Sequence, residues 1–149
     1  MNILVSACLL GLNCRYSGDG KYIKELEELK GKVHLIPVCP EQLGGLPTPR
    51  NPVELKLGKA FDKEGRDCTE QFCKGAEEVC KLAEYFECTA AILKANSPSC
   101  GYGQIYDGSF QGKLIQGNGM TAEILAKRGV KIFSEKNLEE LKVCIDEES

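Results

Sequence analysis

Three short apolar runs, each leading to a cysteine set among small or turn-forming residues, constrain this chain more than any other feature. Ile3-Leu4-Val5 leads to Cys8, Val33-His34-Leu35-Ile36 to Cys39, and Thr89-Ala90-Ala91-Ile92-Leu93 to Cys100 within Ser97-Pro98-Ser99-Cys100-Gly101. Compact apolar runs of this length read as buried strands, and stretches of helical periodicity lie between them. Each parallel return needs a crossover, so the pattern predicts an α/β fold: a single domain over 1–149 with a mainly parallel, Rossmann-like sheet flanked by helices. The carboxyl ends of parallel strands share one edge of the sheet, where α/β proteins place their chemistry. Cys8, Cys39 and Cys100 are therefore expected to meet, although they are far apart in sequence.

The rest of the chain fits this frame. Asn13 to Gly20 is dense in turn formers, and Tyr22, Ile23, Leu26 and Leu29 then recur at helical spacing, which predicts a helix over about 21–30. Gly44 to Pro52 holds three prolines and two glycines and is expected to be an extended loop, with Arg50 as its one strong anion-binding side chain. Val53 to Asp62 reads as a small hairpin. Asp67 or Thr69 can cap a helix whose apolar stripe is Phe72, Cys73, Ala76, Val79, Cys80, Ala83 and Phe86. Residues 101–119 are glycine-rich and longer than an ordinary connection, which predicts an active-site loop or lid. A helix starting near Asn118 or Thr121, a strand Val130 to Phe133 and a closing helix from Asn137 complete the chain.

A formal net charge of −3 over 149 residues offers no global attraction for phosphates, so nucleic acid is not expected as a partner. Met1-Asn2-Ile3-Leu4-Val5 lacks the basic region and long apolar stretch of a signal peptide, and no apolar run approaches the roughly 18 residues of a membrane span. A soluble, cytoplasmic protein without a membrane partner is expected. The chain carries nine cysteines, an odd number, and in a reducing compartment these are metal ligands, catalytic thiols or core residues before they are disulfides.

The ordinary use of a buried cysteine is as a small apolar residue, and Cys68, Cys73, Cys80, Cys88 and Cys144 fit that use. Cys8, Cys39 and Cys100 depart from it together, in loops whose Gly11, Pro40, Pro98 and Gly101 fix the backbone path. Three thiolates around one group leave a coordination position open, as a catalytic site requires. Iron-sulfur clusters, zinc and copper(I) all accept such ligands. For Cys14 three uses stand open: a fourth ligand, a redox partner for Cys8, or a loop residue. The absence of any Cys-x-x-Cys pair weakens thioredoxin-like and zinc-ribbon readings. The single histidine, His34, lies inside the second strand, so histidine acid-base chemistry is not expected. Glu41, two residues from Cys39, is the best candidate acid or base, since a partly desolvated carboxyl can shuttle protons. Ser97 and Ser99 can hydrogen-bond a substrate, although serine beside proline is also ordinary turn chemistry. Asp19 and Asp107, each next to a glycine, are turn residues first.

Ser6-Ala7-Cys8-Leu9-Leu10-Gly11 with Cys14-Arg15-Tyr16, Pro37-Val38-Cys39-Pro40-Glu41 with Gly44-Gly45-Leu46-Pro47-Thr48-Pro49-Arg50, and Leu93-Lys94 with Ser97-Pro98-Ser99-Cys100-Gly101 together resemble the thiouracil desulfurase (desulfidase) family. The resemblance covers nearly the whole chain. It implies a four-iron four-sulfur cluster held by three cysteines, which map onto Cys8, Cys39 and Cys100, with one iron free of protein ligands. It also implies removal of sulfur from 2-thiouracil or a related thiolated pyrimidine with release of hydrogen sulfide. By the same likeness Glu41 activates water or relays protons while Ser97 and Ser99 position the substrate. Ser17 departs from the family's more common aspartate, which puts any role of that position in doubt.

Two other functions compete with a non-redox desulfurase. One is a cysteine-ligated metal, cluster or redox sensor without turnover, which a reversible Cys8–Cys14 disulfide would favour. The other is a sulfur carrier that works through a cysteine persulfide. The residues do not distinguish a base, nucleoside or nucleotide as substrate, and they leave the oligomeric state open.

Overall fold

The computed structural model describes residues 1–148. Along the chain the elements are β1 (Asn2–Ser6), β2 (His34–Val38), the short helix α1 (Pro40–Leu43), a hairpin of β3 (Val53–Lys56) and β4 (Lys59–Asp62), and α2 (Thr69–Tyr85). There follow β5 (Ala90–Ile92), a second hairpin of β6 (Gln104–Tyr106) and β7 (Leu114–Gln116), α3 (Met120–Lys127), β8 (Lys131–Phe133) and α4 (Leu138–Glu148). β2, β1, β5 and β8 pair in that order, all parallel, and form the central sheet of a single α/β domain. The two hairpins are antiparallel and stand outside it.

Both faces of the sheet are covered, which explains the unbroken apolar run of β1. Ile3 and Val5 pack with Leu26, Leu29, Leu141 and Ile145 on one side, and Leu4 packs with Val79, Ala83 and Leu125 on the other. Pro37 is tolerated in β2 because that strand is at the sheet edge, where a missing N–H breaks no central ladder. Phe72, Ala76, Val79, Cys80 and Ala83 form the buried stripe of α2, whereas Cys73, expected on it, is only half-buried and Phe86, just past the helix end, is exposed. Cys80, Cys88 and Cys144 are buried core residues, as anticipated.

Two local expectations change. The helix predicted over about 21–30 is a 3-10 helix over Lys24–Leu29. Residues before it are claimed by the turn after β1: Lys21 N donates to Cys8 O at 2.8 Å and Ile23 N to Leu9 O at 3.0 Å. That extended attachment shortens the segment left to coil. The glycine-rich stretch 101–119 is not an open loop but carries the β6–β7 hairpin, whose strands are three residues each and too short to show an alternating pattern.

α1 lies against α2 through two glycines. A Cβ on Gly44 would stand 1.9 Å from Gln71 O, and one on Gly75 would stand 1.9 Å from Pro40 O. Only bare backbone permits this approach. The contact fixes α1, and with it Glu41, against the long helix.

Candidate active site

Register brings the three thiol-bearing loops to one edge. Ser6, the last residue of β1, pairs with Val38 at the end of β2, while Val5 pairs with Ile92 at the end of β5. Cys8 follows β1 in a 3-10 turn, Cys39 directly follows β2, and Cys100 ends the loop leaving β5. The chain crosses from β2 over β1 to β5, so the crevice between β1 and β5 is a topological switch point. A cavity of about 430 Å³ opens there, lined by Cys8, Cys14, Cys39, Cys100, Glu41 and Ser99 among others. That size lies within the range of small-ligand sites.

The thiols are mostly withdrawn from solvent and sense one another. Burial pushes Cys8 up to about 12, reinforced by the nearby Cys100, Cys14 and Cys39 and opposed by Lys94. Burial and the adjoining Cys39 likewise push Cys14 up to about 12. Burial pushes Cys100 up to about 11, against hydrogen bonds from Ser6 and Ser99 that favour the thiolate. Clustering of like groups away from solvent disfavours charge on Cys8, Cys14 and Cys100 unless a cation is shared among them. Soft sulfur donors without an imidazole fit a thiophilic metal group. Among the described residues no three or more His, Cys, Asp or Glu side chains stand in position around a single metal ion. An iron-sulfur cluster spreads its thiolates over separate irons, so donors ranged around a cavity suit it better than they suit one ion.

Ser6 occupies the seam between β1 and β5. Its hydroxyl contacts Cys100 Sγ at 3.3 Å and accepts from Lys94 N at 2.9 Å. Lys94 lines the cavity and pairs through Nζ with Glu135 Oε2 at 3.0 Å, while Glu135 Oε1 accepts from Ala95 N at 2.8 Å. These contacts hold the strand that delivers the Ser97–Gly101 loop.

Glu41 sits in the first turn of α1, reaches the cavity, and is engaged on both oxygens. Oε1 accepts from Arg50 Nε at 3.0 Å and Oε2 accepts from Ser99 Oγ at 2.9 Å. Ser97 Oγ lies 3.1 Å from Ser99 Oγ and accepts from the backbone N of Ser99 and of Cys100. Ser97 thus organises the turn, and Ser99, only 3% exposed, faces both the carboxylate and Cys100.

Arg50 has no free fork for an external anion. Its side chain, 6% exposed, also donates to Cys14 O at 3.0 Å, Thr48 Oγ1 at 3.0 Å and Pro47 O at 3.1 Å. It ties the loop after β1 to α1. Cys14 lies beside Cys39, whose Sγ contacts Cys14 O at 3.8 Å. His34 is exposed at the far end of β2 with Nδ1 3.2 Å from Asn2 Oδ1, away from the cavity. Asp19 and Asp107 serve turns through Ser17 and Ser109. Ser6 and Lys94 join the site without standing among the candidates that the sequence offers, although each adjoins the end of a central strand.

Among the described residues no helix is long and apolar enough to cross a membrane. A protein of Bacillus subtilis (strain 168), the uncharacterized protein YbbK, is 40% identical to this chain, over 93% of this chain and 99% of its own length. A solved structure described as a [4Fe-4S]-dependent thiouracil desulfidase, TudS, superposes with a TM-score of 0.93 at 41% identity and covers 97% of both chains. A family model described as 2-thiouracil desulfurase matches residues 3–137. The strand-end cysteines, the parallel sheet and these likenesses lead to one conclusion: the chain belongs to the 2-thiouracil desulfurase family.

Proposed function

We propose that this protein removes sulfur from 2-thiouracil or a related thiolated pyrimidine by hydrolysis, releasing hydrogen sulfide. In this reading Cys8, Cys39 and Cys100 hold a [4Fe-4S] cluster with one iron left open, and Glu41, Ser97 and Ser99 serve the chemistry. The observation that carries it is the meeting of those cysteines with the Glu41–Ser99 pair in one cavity. TudS, with the same fold, is described as [4Fe-4S]-dependent.

The overall reaction exchanges a carbon-bound sulfur for the oxygen of water: the carbon–sulfur bond breaks, a carbon–oxygen bond forms, and both water protons leave as hydrogen sulfide. No electrons are gained or lost. When bound, the cluster supplies a Lewis-acidic iron that draws electron density from the carbon–sulfur bond. Glu41 accepts the proton of the attacking water and returns it to the departing sulfur. Arg50 on Oε1 holds the carboxylate in place, so the remaining acceptor capacity of Oε2 faces the cavity beside Ser99. Ser99 and Ser97, with hydroxyls 3.1 Å apart, provide a short path for that proton and hydrogen-bond donors for the ring. Burial keeps bulk water from competing for these groups.

Protein purified anaerobically and supplied with iron and sulfide is incubated with 2-thiouracil, and uracil and sulfide are followed together. Equal release of both, over many turnovers, is expected. A colourless zinc protein, or a cluster protein that releases no sulfide from 2-thiouracil or other thioamides, contradicts the proposal. The second outcome would point to a sensor.

A further inference from the structure

Phe110 adopts a left-handed backbone conformation, with φ of 58°, between β6 and β7. A bulky residue rarely occupies that region, and such departures gather where a ligand is held. Glu54 of β3 maintains it. The Oε1 atom of Glu54 accepts from Gly108 N and from Phe110 N, each at 3.0 Å. Gly108 permits the close seat: its φ is 94°, and a Cβ there would stand 2.8 Å from Leu55 O. The tip of the second hairpin is therefore docked on the first. Tyr106 and Phe110 line the same cavity as the cysteines, while most of the β6–β7 hairpin is exposed. Neither aromatic belongs to the main buried clusters, so core packing does not account for them.

We propose that Phe110, held by Glu54 in its left-handed conformation, is the stacking face that selects a planar heteroaromatic ring in the sheet-edge cavity. The inference rests on the desulfurase reading for its substrate class. An aromatic face contributes through contact with the flat side of any base-like ring, and truncation of such a partner weakens binding measurably. Phe110 is a specificity-determining residue and Glu54 a positioning residue that acts through it.

The test compares holoprotein carrying Phe110→Ala, Phe110→Tyr, Glu54→Ala or the double substitution Glu54→Ala/Phe110→Ala with the unsubstituted protein. Cluster absorbance and melting temperature identify any folding loss. KM and kcat are measured for 2-thiouracil and for thiourea, a thioamide without a ring, and 2-thiouracil binding is measured by calorimetry. Phe110→Ala is expected to raise KM and Kd for 2-thiouracil about tenfold, with a smaller effect on thiourea, and Phe110→Tyr to restore both. Glu54→Ala shifts the same quantities in the same direction but adds nothing once Phe110 is truncated. Equal losses for ring and acyclic substrates, or unchanged 2-thiouracil binding in Phe110→Ala, overturn the proposal. Should the unsubstituted protein bind 2-thiouracil through Phe110 without releasing sulfide, the desulfurase reading fails while the stacking face stands. No binding of 2-thiouracil at all overturns both.

Discussion

The hydroxyl of Ser6 at the end of β1 lies 3.3 Å from Cys100 Sγ, 94 positions further along the chain, and accepts from Lys94 N at 2.9 Å. One small side chain thus joins two strand ends to a candidate ligand sulfur. Ser6→Ala leaves the half-buried N–H of Lys94 without its acceptor and removes a hydrogen bond from the sulfur, at a cost of about 1–3 kcal/mol in stability. Urea denaturation of the metal-free protein should give a lower midpoint at unchanged slope. In the cluster-loaded protein, loss of the donor should lower the reduction potential, because hydrogen bonds to sulfur favour the more negative state.

Glu41 and Arg50 separate chemistry from scaffolding. Glu41→Gln preserves shape and acceptor capacity on one side but not basicity, so kcat should fall about 10²–10⁴-fold while the cluster spectrum and KM change little. Arg50→Ala leaves the Glu41 charge without its cation and the Cys14 carbonyl without its donor, and loss of one partner of a buried pair costs about 3–5 kcal/mol. Thermal melting distinguishes the two: both changes lower the melting temperature, and Arg50→Ala lowers it more, because it also removes the donors to Cys14 O, Thr48 Oγ1 and Pro47 O, whereas Glu41→Gln keeps an amide oxygen for Arg50 Nε.

The glycine contact between α1 and α2 gives a remote handle on the same carboxylate. Gly75→Ala places a methyl group into Pro40 O and forces the helices apart, an overpacking change that costs about 1–3 kcal/mol. Since Glu41 adjoins Pro40, kcat should fall as well, although position 75 lies outside the cavity. Steady-state kinetics and a melting curve on the same sample check both effects.

Asp62 governs part of the acid limb of stability. Burial pushes its carboxyl up, but the backbone N–H groups of Arg66 and Glu64, the Asn51 amide and the Arg66 guanidinium outweigh that and hold it below its ordinary value of 3.8. A depressed carboxyl stabilises the fold above its unfolded value and loses this contribution as pH falls through the folded one. Asp62→Asn should therefore lower stability at neutral pH and flatten its pH dependence below about pH 4, as read by denaturation across pH 2–7.

Much of the fold was legible because burial on both sides writes a simple pattern. Ile3-Leu4-Val5 and Ala90-Ala91-Ile92 could hardly be anything but central strands, and their parallel order follows from the helical stretches between them. The convergence of Cys8, Cys39 and Cys100 follows in turn from the shared sheet edge. The 3-10 helix and the β6–β7 hairpin were not legible. The first is shaped by backbone bonds from residues 21–23 to the turn after β1, and the second has strands of only three residues, too short to carry periodicity. Arg50 was visible as a candidate anion binder, but its partner proved internal. Glu41, nine residues earlier on α1, is brought to it by tertiary packing that sequence spacing does not encode.

The central claim is that the three strand-end cysteines carry the cluster on which desulfuration depends. Its most direct measurement is iron and acid-labile sulfide content, together with sulfide release from 2-thiouracil, in anaerobic preparations of Cys8→Ala, Cys39→Ala, Cys100→Ala and Cys73→Ala. The account predicts that the first three lose both cluster and activity while Cys73→Ala keeps both. A full cluster and full activity in any one of the first three would contradict it.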